Sequence, residues 1–270
     1  MRRLAPYQTG LWLAEYLDIR CQLCRFHRST PQKALCLPPS LTDDSNLLRE
    51  NTSPPSSDYY PNSHCLGSGL LCTHCHKSLC WLPKPFEVDV TSETSLLIQA
   101  ATYYDYPIRQ AIQAFKHHED MTKLPLLLHV IRQLPRPHGC HHNNSVIVAM
   151  PTTEPRLIKR GFDPVSILSA QLSKHWHIPL WQGVNRIDDT VSQQGLSRAE
   201  RLNNLDNAFS LSKNLSVKRL LLFDDVSTTG ASLQALARTF ISPHLNTYVE
   251  TQKSLSNYYI LAYALAHGSQ

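Results

Sequence analysis

No stretch of this 270-residue chain is apolar for long enough to cross a bilayer as a helix. The basic start MRRL leads into LWLA, but Glu15 and Asp18 cut that run short of a signal-peptide core. ILAYALA, near the other end, is also far shorter than a membrane span. Secretion and membrane insertion are therefore not expected, and a cytoplasmic globular protein is. A large charge excess is missing too. The 26 Lys and Arg stand against 21 Asp and Glu, a balance that permits attraction to polyanions without requiring it. The sequence shows no internal repeat at a solenoid period. It also has no glycine-rich Walker A loop ending in Lys-Ser or Lys-Thr, which removes the P-loop as an explanation for any phosphate chemistry.

With 42% hydrophobic and 17% charged residues, the chain can bury a core in one large domain or two unequal ones. Eight cysteines in a chain without an export signal favour reduced thiols and metal over disulfides. Two of the spacings are metal-like: CQLC holds Cys21 and Cys24, and CTHC holds Cys72 and Cys75. Four thiolates in two such knuckles are the number and kind that a closed tetrahedral zinc site requires. The stretch between the knuckles is long for a compact finger, but loop closure costs rise only logarithmically with length. Residues 28–64 are rich in Pro, Ser, Asn and Thr with no sustained apolar period, and read as an exposed, poorly ordered insertion. Cys36, Cys65 and Cys80 lack a partner at knuckle spacing, so each reads as a plain thiol. Cys140, beside His141 and His142, reads as an incidental loop residue.

Periodic structure resumes at about residue 96. IRQAIQAFKHH sets Ile108, Ala111, Ile112 and Phe115 on one helical face, and MTKLPLLLHVIRQL reads as a second helical segment with Pro125 early in it. SVIVAMP suits a buried parallel strand. PVSILSAQLSKHW follows as a helix, with Asp163 placed to cap it and Pro164 in its first turn. IPLWQGVNRI reads as a strand, SRAERLNNLDNAF as a polar segment, helical or mobile, RLLLFDDV as a strand, SLQALARTF as a helix and NYYILAYALA as the last strand. This alternation predicts an α/β parallel sheet flanked by helices. A small N-terminal metal module, residues 1–90, is expected ahead of the α/β domain, residues 91–270.

The densest chemical signal is RLLLFDDVSTTGASL, a hydrophobic strand that ends on Asp224 and Asp225 and runs into Ser227, Thr228, Thr229, Gly230 and Ser232. In an open parallel sheet, ligands sit beyond the carboxyl ends of strands. A helix N-terminus, a glycine that allows close approach and several hydroxyls form a phosphate cradle. Two acids facing a phosphate would repel it, so beside it they suit the hydroxyls of a sugar, and a phosphate next to a diol is a ribose 5-phosphate. An ordinary strand–turn–helix connection with capping hydroxyls remains the plainer alternative.

FDDVSTTGASL resembles the phosphoribosyl pyrophosphate (PRPP) motif of type I phosphoribosyltransferases. Three further segments resemble those of the ComF/GntX-like family: YDYPIRQAIQAFKHH, VAMPTTEPRLIKRGFDP and SQQGLSRAERLNNLDNAF. The four stand in the family's order across residues 103–240. The resemblance implies a phosphoribosyltransferase-like fold behind an N-terminal zinc element. In transformable bacteria it implies a role in competence and in processing internalised single-stranded DNA.

Carried over by position, the resemblance implies that Asp224, Asp225, Val226, Ser227, Thr228, Thr229, Gly230, Ala231 and Ser232 bind PRPP, with magnesium offsetting the pyrophosphate's charge. Arg156, Lys159 and Arg160 are cations available to pyrophosphate or DNA, or else form a basic surface turn; Arg198 and Arg201 could close over the site, or be solvated helix charges. Tyr103, Tyr104 and Lys116 join Arg156 and Arg160 as a possible single-strand track. RGFDP stands where the family has RGFNQ, which brings an acid to position 163. KSLCWL fits the short helix that follows the second knuckle in the family. No base-recognition element is visible for an acceptor, so PRPP binding without transfer and an active transferase both remain open.

Overall fold

The computed structural model describes residues 20–27, 70–92, 94–187, 208–241 and 258–268. The chain divides into two compact units, residues 1–79 and 80–270. The poorly ordered insertion expected at residues 28–64 lies outside the described residues.

In the first unit, helix α1, Thr73–Ser78, begins inside the second knuckle, where the Cys72 sulfur caps it by accepting the backbone N–H of Cys75. The helix expected over KSLCWL is therefore placed earlier, over THCHKS. A cysteine at the N-cap aims the first backbone N–H groups of a short helix at sulfur, which suits a metal-binding thiolate.

The second unit is a mixed α/β structure with a mostly parallel sheet. Its strands are β1 Phe86–Asp89, β2 Ser95–Tyr103, β3 Ser145–Ala149, β6 Arg219–Ser227 and β7 Tyr259–His267, in the spatial order β1-β2-β7-β6-β3. β2, β7, β6 and β3 run parallel, while β1 joins the edge antiparallel to β2. β4 Val184–Arg186 and β5 Phe209–Leu211 form a separate antiparallel pair.

Residues 145–149 and 219–227 form buried strands because both are β-branched or apolar runs with helices on the two faces of the sheet. On one face Leu220, Leu222, Val146 and Val148 pack with Leu233, Leu236 and Phe240 of helix α6, Ala231–Ile241. The other face is covered by α3 Leu124–Ile131 and α5 Pro164–Trp176, and α2 Ile108–His117 packs against α3. There the Trp176 and Tyr263 rings meet edge to face at 5.0 Å. The four residues expected on one face of α2 are its four buried residues. Asp163 caps α5 as expected, accepting the N–H of Val165 at 3.1 Å and the hydroxyl of Ser166 at 2.6 Å.

The strand read over IPLWQGVNRI is corrected to two short pieces. Leu180 makes a single parallel bridge to Ile147, and only Val184–Arg186 forms a strand, in the small sheet. Gly183 separates them, its backbone so close beneath the Trp181 ring that a side chain there would collide with it. Residues 197–207 of the SRAERLNNLDNAF segment lie outside the described residues, and Phe209 at its end enters β5. Among the described residues, no helix is long and apolar enough to cross a membrane.

Candidate functional site

The carboxyl ends of β6 and β3, the start of α6 and a short helix α4, Glu154–Arg160, enclose a cleft of about 860 Å³. Asp224, Asp225, Val226, Thr228, Thr229, Ala231 and Ser232 line it, and Arg156 and Arg160 face it from α4. Of the other residues singled out in this loop, Ser227 and Gly230 are buried. Lys159 is exposed on α4 and does not line the cleft, and Arg198 and Arg201 lie outside the described residues. The remaining charged walls are Glu87 and Asp89 of β1, Lys116 at the end of α2, Asp163 and Arg186.

Local folding explains the loop's shape. Gly230 takes a left-handed φ of 76°, and a Cβ there would run into Ile98 and Val88 side chains. Glycine is the residue that tolerates both demands. The N–H of Gln234 donates to the Gly230 carbonyl at 2.8 Å, starting α6 at once. The Gln234 side chain donates to the Asp89 carbonyl and the Arg238 Nε to the Val90 carbonyl, so α6 is latched to the β1 edge.

The two acids differ. Asp225 is buried, and its Oδ2 forms an ion pair with the Lys116 ammonium. Asp224 Oδ1 accepts the backbone N–H of Asp225 at 2.8 Å. Burial, and then the adjacent Asp225 carboxylate, push the Asp224 carboxyl up to about 8, with Lys116 pulling the other way. Nearby, burial and then the Arg160 and Lys116 charges lower the pKa of His117, with Asp225 pulling the other way.

Lys116 gave no catalytic signature in the sequence. Its partner lies on a distant strand, and nothing local to IRQAIQAFKHH announces the pairing. It is paired with Asp225 and lines the same cleft as Arg156 and Arg160, the two arginines named with it as a single-strand track. Phe115 of the same turn packs edge to face on Phe162 at 5.4 Å, which sets the end of α2 against the turn between α4 and α5. The segment after β3 was read as a loop or basic turn; it holds the seven-residue α4, ended by Gly161 in a left-handed conformation.

In the first unit, Cys21, Cys24, Cys72 and Cys75 bring their sulfurs within 4.8 Å of one another. The Cys24 and Cys72 sulfurs are 3.8 Å apart. Backbone N–H groups of His27 and Phe26 pull Cys24 down to about 6, while burial and the surrounding thiols push Cys75 up to about 12. Four sulfurs this close repel as thiolates and suit a soft divalent cation such as zinc. His27 and His74 stack at 6.1 Å beside the knuckles. Among the described residues no other group of three or more His, Cys, Asp or Glu has metal-binding geometry. Cys80 is exposed, and Cys140 lies in a loop as expected but is buried, its carbonyl accepting Arg136 Nη2 at 2.6 Å.

These features define an α/β protein with a polar cleft at the carboxyl end of a mostly parallel sheet and a separate four-cysteine cluster. Its sequence is 37% identical over 144 residues to competence protein F of Haemophilus influenzae, a match covering 50% of this chain and 62% of that protein. It is 33% identical over 97 residues to the DNA utilization protein YhgH of Escherichia coli K12 and of Salmonella typhi, covering 35% of this chain and 42% of each relative. The matches thus span less than two-thirds of these relatives' own lengths. No protein-family model matches the chain. The similarities are thus to proteins named for competence and for DNA utilization.

Proposed function

We propose that the protein binds PRPP or ribose 5-phosphate in the cleft of its second unit and acts in natural competence, in the processing of internalised single-stranded DNA. The observation that carries the ligand reading is the placement of Asp224 and Asp225 and the hydroxyl-rich turn 228–232 on one wall of a cleft that Arg156 and Arg160 face. The start of α6 offers free N–H groups and a partial positive charge to the 5-phosphate. The acids accept from the ribose hydroxyls. Arg156 and Arg160 offer fork donors to a pyrophosphate. Asp224 and Asp225 are hard oxygen donors of the kind that hold magnesium together with substrate phosphates. Magnesium, when bound, would offset the charge of the departing pyrophosphate.

The names of the relatives support the DNA half of the reading, as does the resemblance of four segments to the ComF/GntX-like family. In this proposal the first unit is a zinc-binding module, with Cys21, Cys24, Cys72 and Cys75 as ligands, and the second unit, which carries the whole sheet with β1 included, is a phosphoribosyltransferase-like domain in the cytoplasm. A second reading, phosphoribosyl transfer to a base or amine, is favoured by the size of the cleft, about 860 Å³, near the top of the range of small-molecule sites and roomy enough for an acceptor beside the sugar. That reaction is displacement at the anomeric carbon through an oxocarbenium-like transition state.

The deciding experiment is calorimetry of the purified protein against PRPP and against single-stranded DNA, with and without magnesium. Saturable PRPP binding supports the first reading, and pyrophosphate release with some acceptor promotes the second. No PRPP or sugar-phosphate binding under any condition rejects both.

A further inference from the structure

This inference rests on the sugar-phosphate reading of the cleft and concerns Lys116. Its ammonium pairs with Asp225 Oδ2 across the join between the end of α2 and the end of β6. The two side chains are 21% and 5% exposed, and both line the cleft. Apart from this ion pair, Asp225 Oδ2 has no hydrogen-bond partner. A carboxylate buried to that degree is costly unless a fixed cation compensates it, and here that cation is Lys116.

The consequence concerns charge. A phosphate monoester carries nearly two negative charges near neutral pH, and a pair of bare carboxylates in the same cleft would oppose it. The common remedy is a divalent metal between the acids and the phosphate. In this cleft one acid is already neutralised by a side chain of the same chain. The other is backed by the N–H of Asp225 and carries less charge than a free carboxylate.

We infer that Lys116 is a built-in cation that lets this site take a pentose 5-phosphate, a monoester beside a vicinal diol, without a divalent metal. It is a positioning residue: it acts on the ligand through the Asp225 carboxylate, with which it pairs at the wall of the cleft. A ligand that also carries a pyrophosphate brings further charge, beyond what Arg156 and Arg160 offset on their side of the cleft, so its binding keeps a metal requirement. The site therefore discriminates between the two ligands according to magnesium supply.

The test is calorimetry on the full-length, zinc-loaded chain with ribose 5-phosphate and with PRPP, in magnesium-free buffer without chelator and then with magnesium added. Wild-type affinity for ribose 5-phosphate is expected to change by less than about threefold on adding magnesium, while PRPP gains about tenfold or more. Lys116→Met is expected to lose about tenfold or more for ribose 5-phosphate without magnesium and to regain most of it with magnesium; Lys116→Arg should stay within about threefold of wild type. Rescue by metal reports folded protein only, which separates the charge role from a structural one. Should Lys116→Met fail to fold, Lys116→Gln takes its place. Ribose 5-phosphate binding that requires magnesium in the wild type, or that is unchanged in Lys116→Met, overturns this inference and leaves the sugar-phosphate reading standing. Absence of binding by either ligand in every condition removes that reading and this inference with it.

Discussion

The backbone N–H of Asp225 donates to Oδ1 of Asp224 at 2.8 Å, so two neighbouring carboxyls at the end of one strand are solved differently, one by a backbone donor and one by Lys116. Burial and the Asp225 charge raise the Asp224 carboxyl to about 8. A folded-state pKa above the unfolded value means that the native state holds the proton more tightly, so this group's contribution is complete below about pH 4 and is lost as pH rises through about 8. Asp224→Asn removes the ionisation. Its stability relative to wild type should therefore increase between pH 4 and pH 8 and level off above that. Asp224 keeps part of its surface in solvent, so a gain of about 1–2 kcal/mol at pH 8 is expected, less than the full shift implies. Urea unfolding at several pH values without ligand checks it; a difference that is flat with pH contradicts it.

Much of the fold was legible because its signals are local. The face formed by Ile108, Ala111, Ile112 and Phe115, the cap at Asp163 and the apolar run into Asp224 each fit within one element. β1 and β2 were missed because four of the last five residues of SLLIQAATY are buried, leaving little alternation, and because β1 alternates only between half-buried and exposed positions. α4 has no buried residue, so it has no apolar face for periodicity to find. The acids and hydroxyls of the site could be read from one stretch. Glu87 and Asp89 could not, since only the sheet order brings β1 to the same cleft, and neither could the pairing of Lys116 with Asp225, which joins a helix end to a distant strand.

Gly230→Ala tests the loop's geometry. The left-handed φ of 76° costs an L-residue about 1–2 kcal/mol. The new methyl would also meet Ile98 and Val88, adding about 1–3 kcal/mol of overpacking. A loss of about 2–5 kcal/mol in chemical denaturation is expected. Sugar-phosphate affinity should fall with it, since the turn and the start of α6 shift together. Wild-type stability in this variant contradicts the described backbone.

Cys72→Ser tests the metal centre. Cys72 both joins the four-sulfur cluster and caps α1. The wild-type protein is expected to carry about one zinc per chain. The serine variant should lose most of it and melt its first unit at lower temperature, because the binding free energy of a structural zinc is folding free energy. Metal analysis after dialysis decides it: full zinc content in the variant removes Cys72 from the ligand set.

α4 offers a test of the DNA reading that leaves the fold largely untouched. It buries none of its side chains, so replacing Arg156, Lys159 and Arg160 together by Ala should cost little stability. Two of these cations face the cleft and the third is exposed beside exposed Ile158, so on one short helix they could serve a ligand in the cleft or a strand passing along its rim. The two uses separate by salt. If single-stranded DNA is held through phosphate neutralisation, its affinity falls steeply with salt, and losing three contacts should flatten the logarithmic slope by about 2. Ribose 5-phosphate carries one phosphate and should show a much shallower dependence in wild type and variant alike. In a naturally transformable host, a clean deletion of the gene should lower transformation while leaving growth on ordinary purine and pyrimidine sources intact, and the triple variant should restore it only in part. A salt slope unchanged by the triple substitution removes α4 from the DNA contact, and normal transformation in the deletion strain removes the competence role and leaves the transferase reading as the one to pursue.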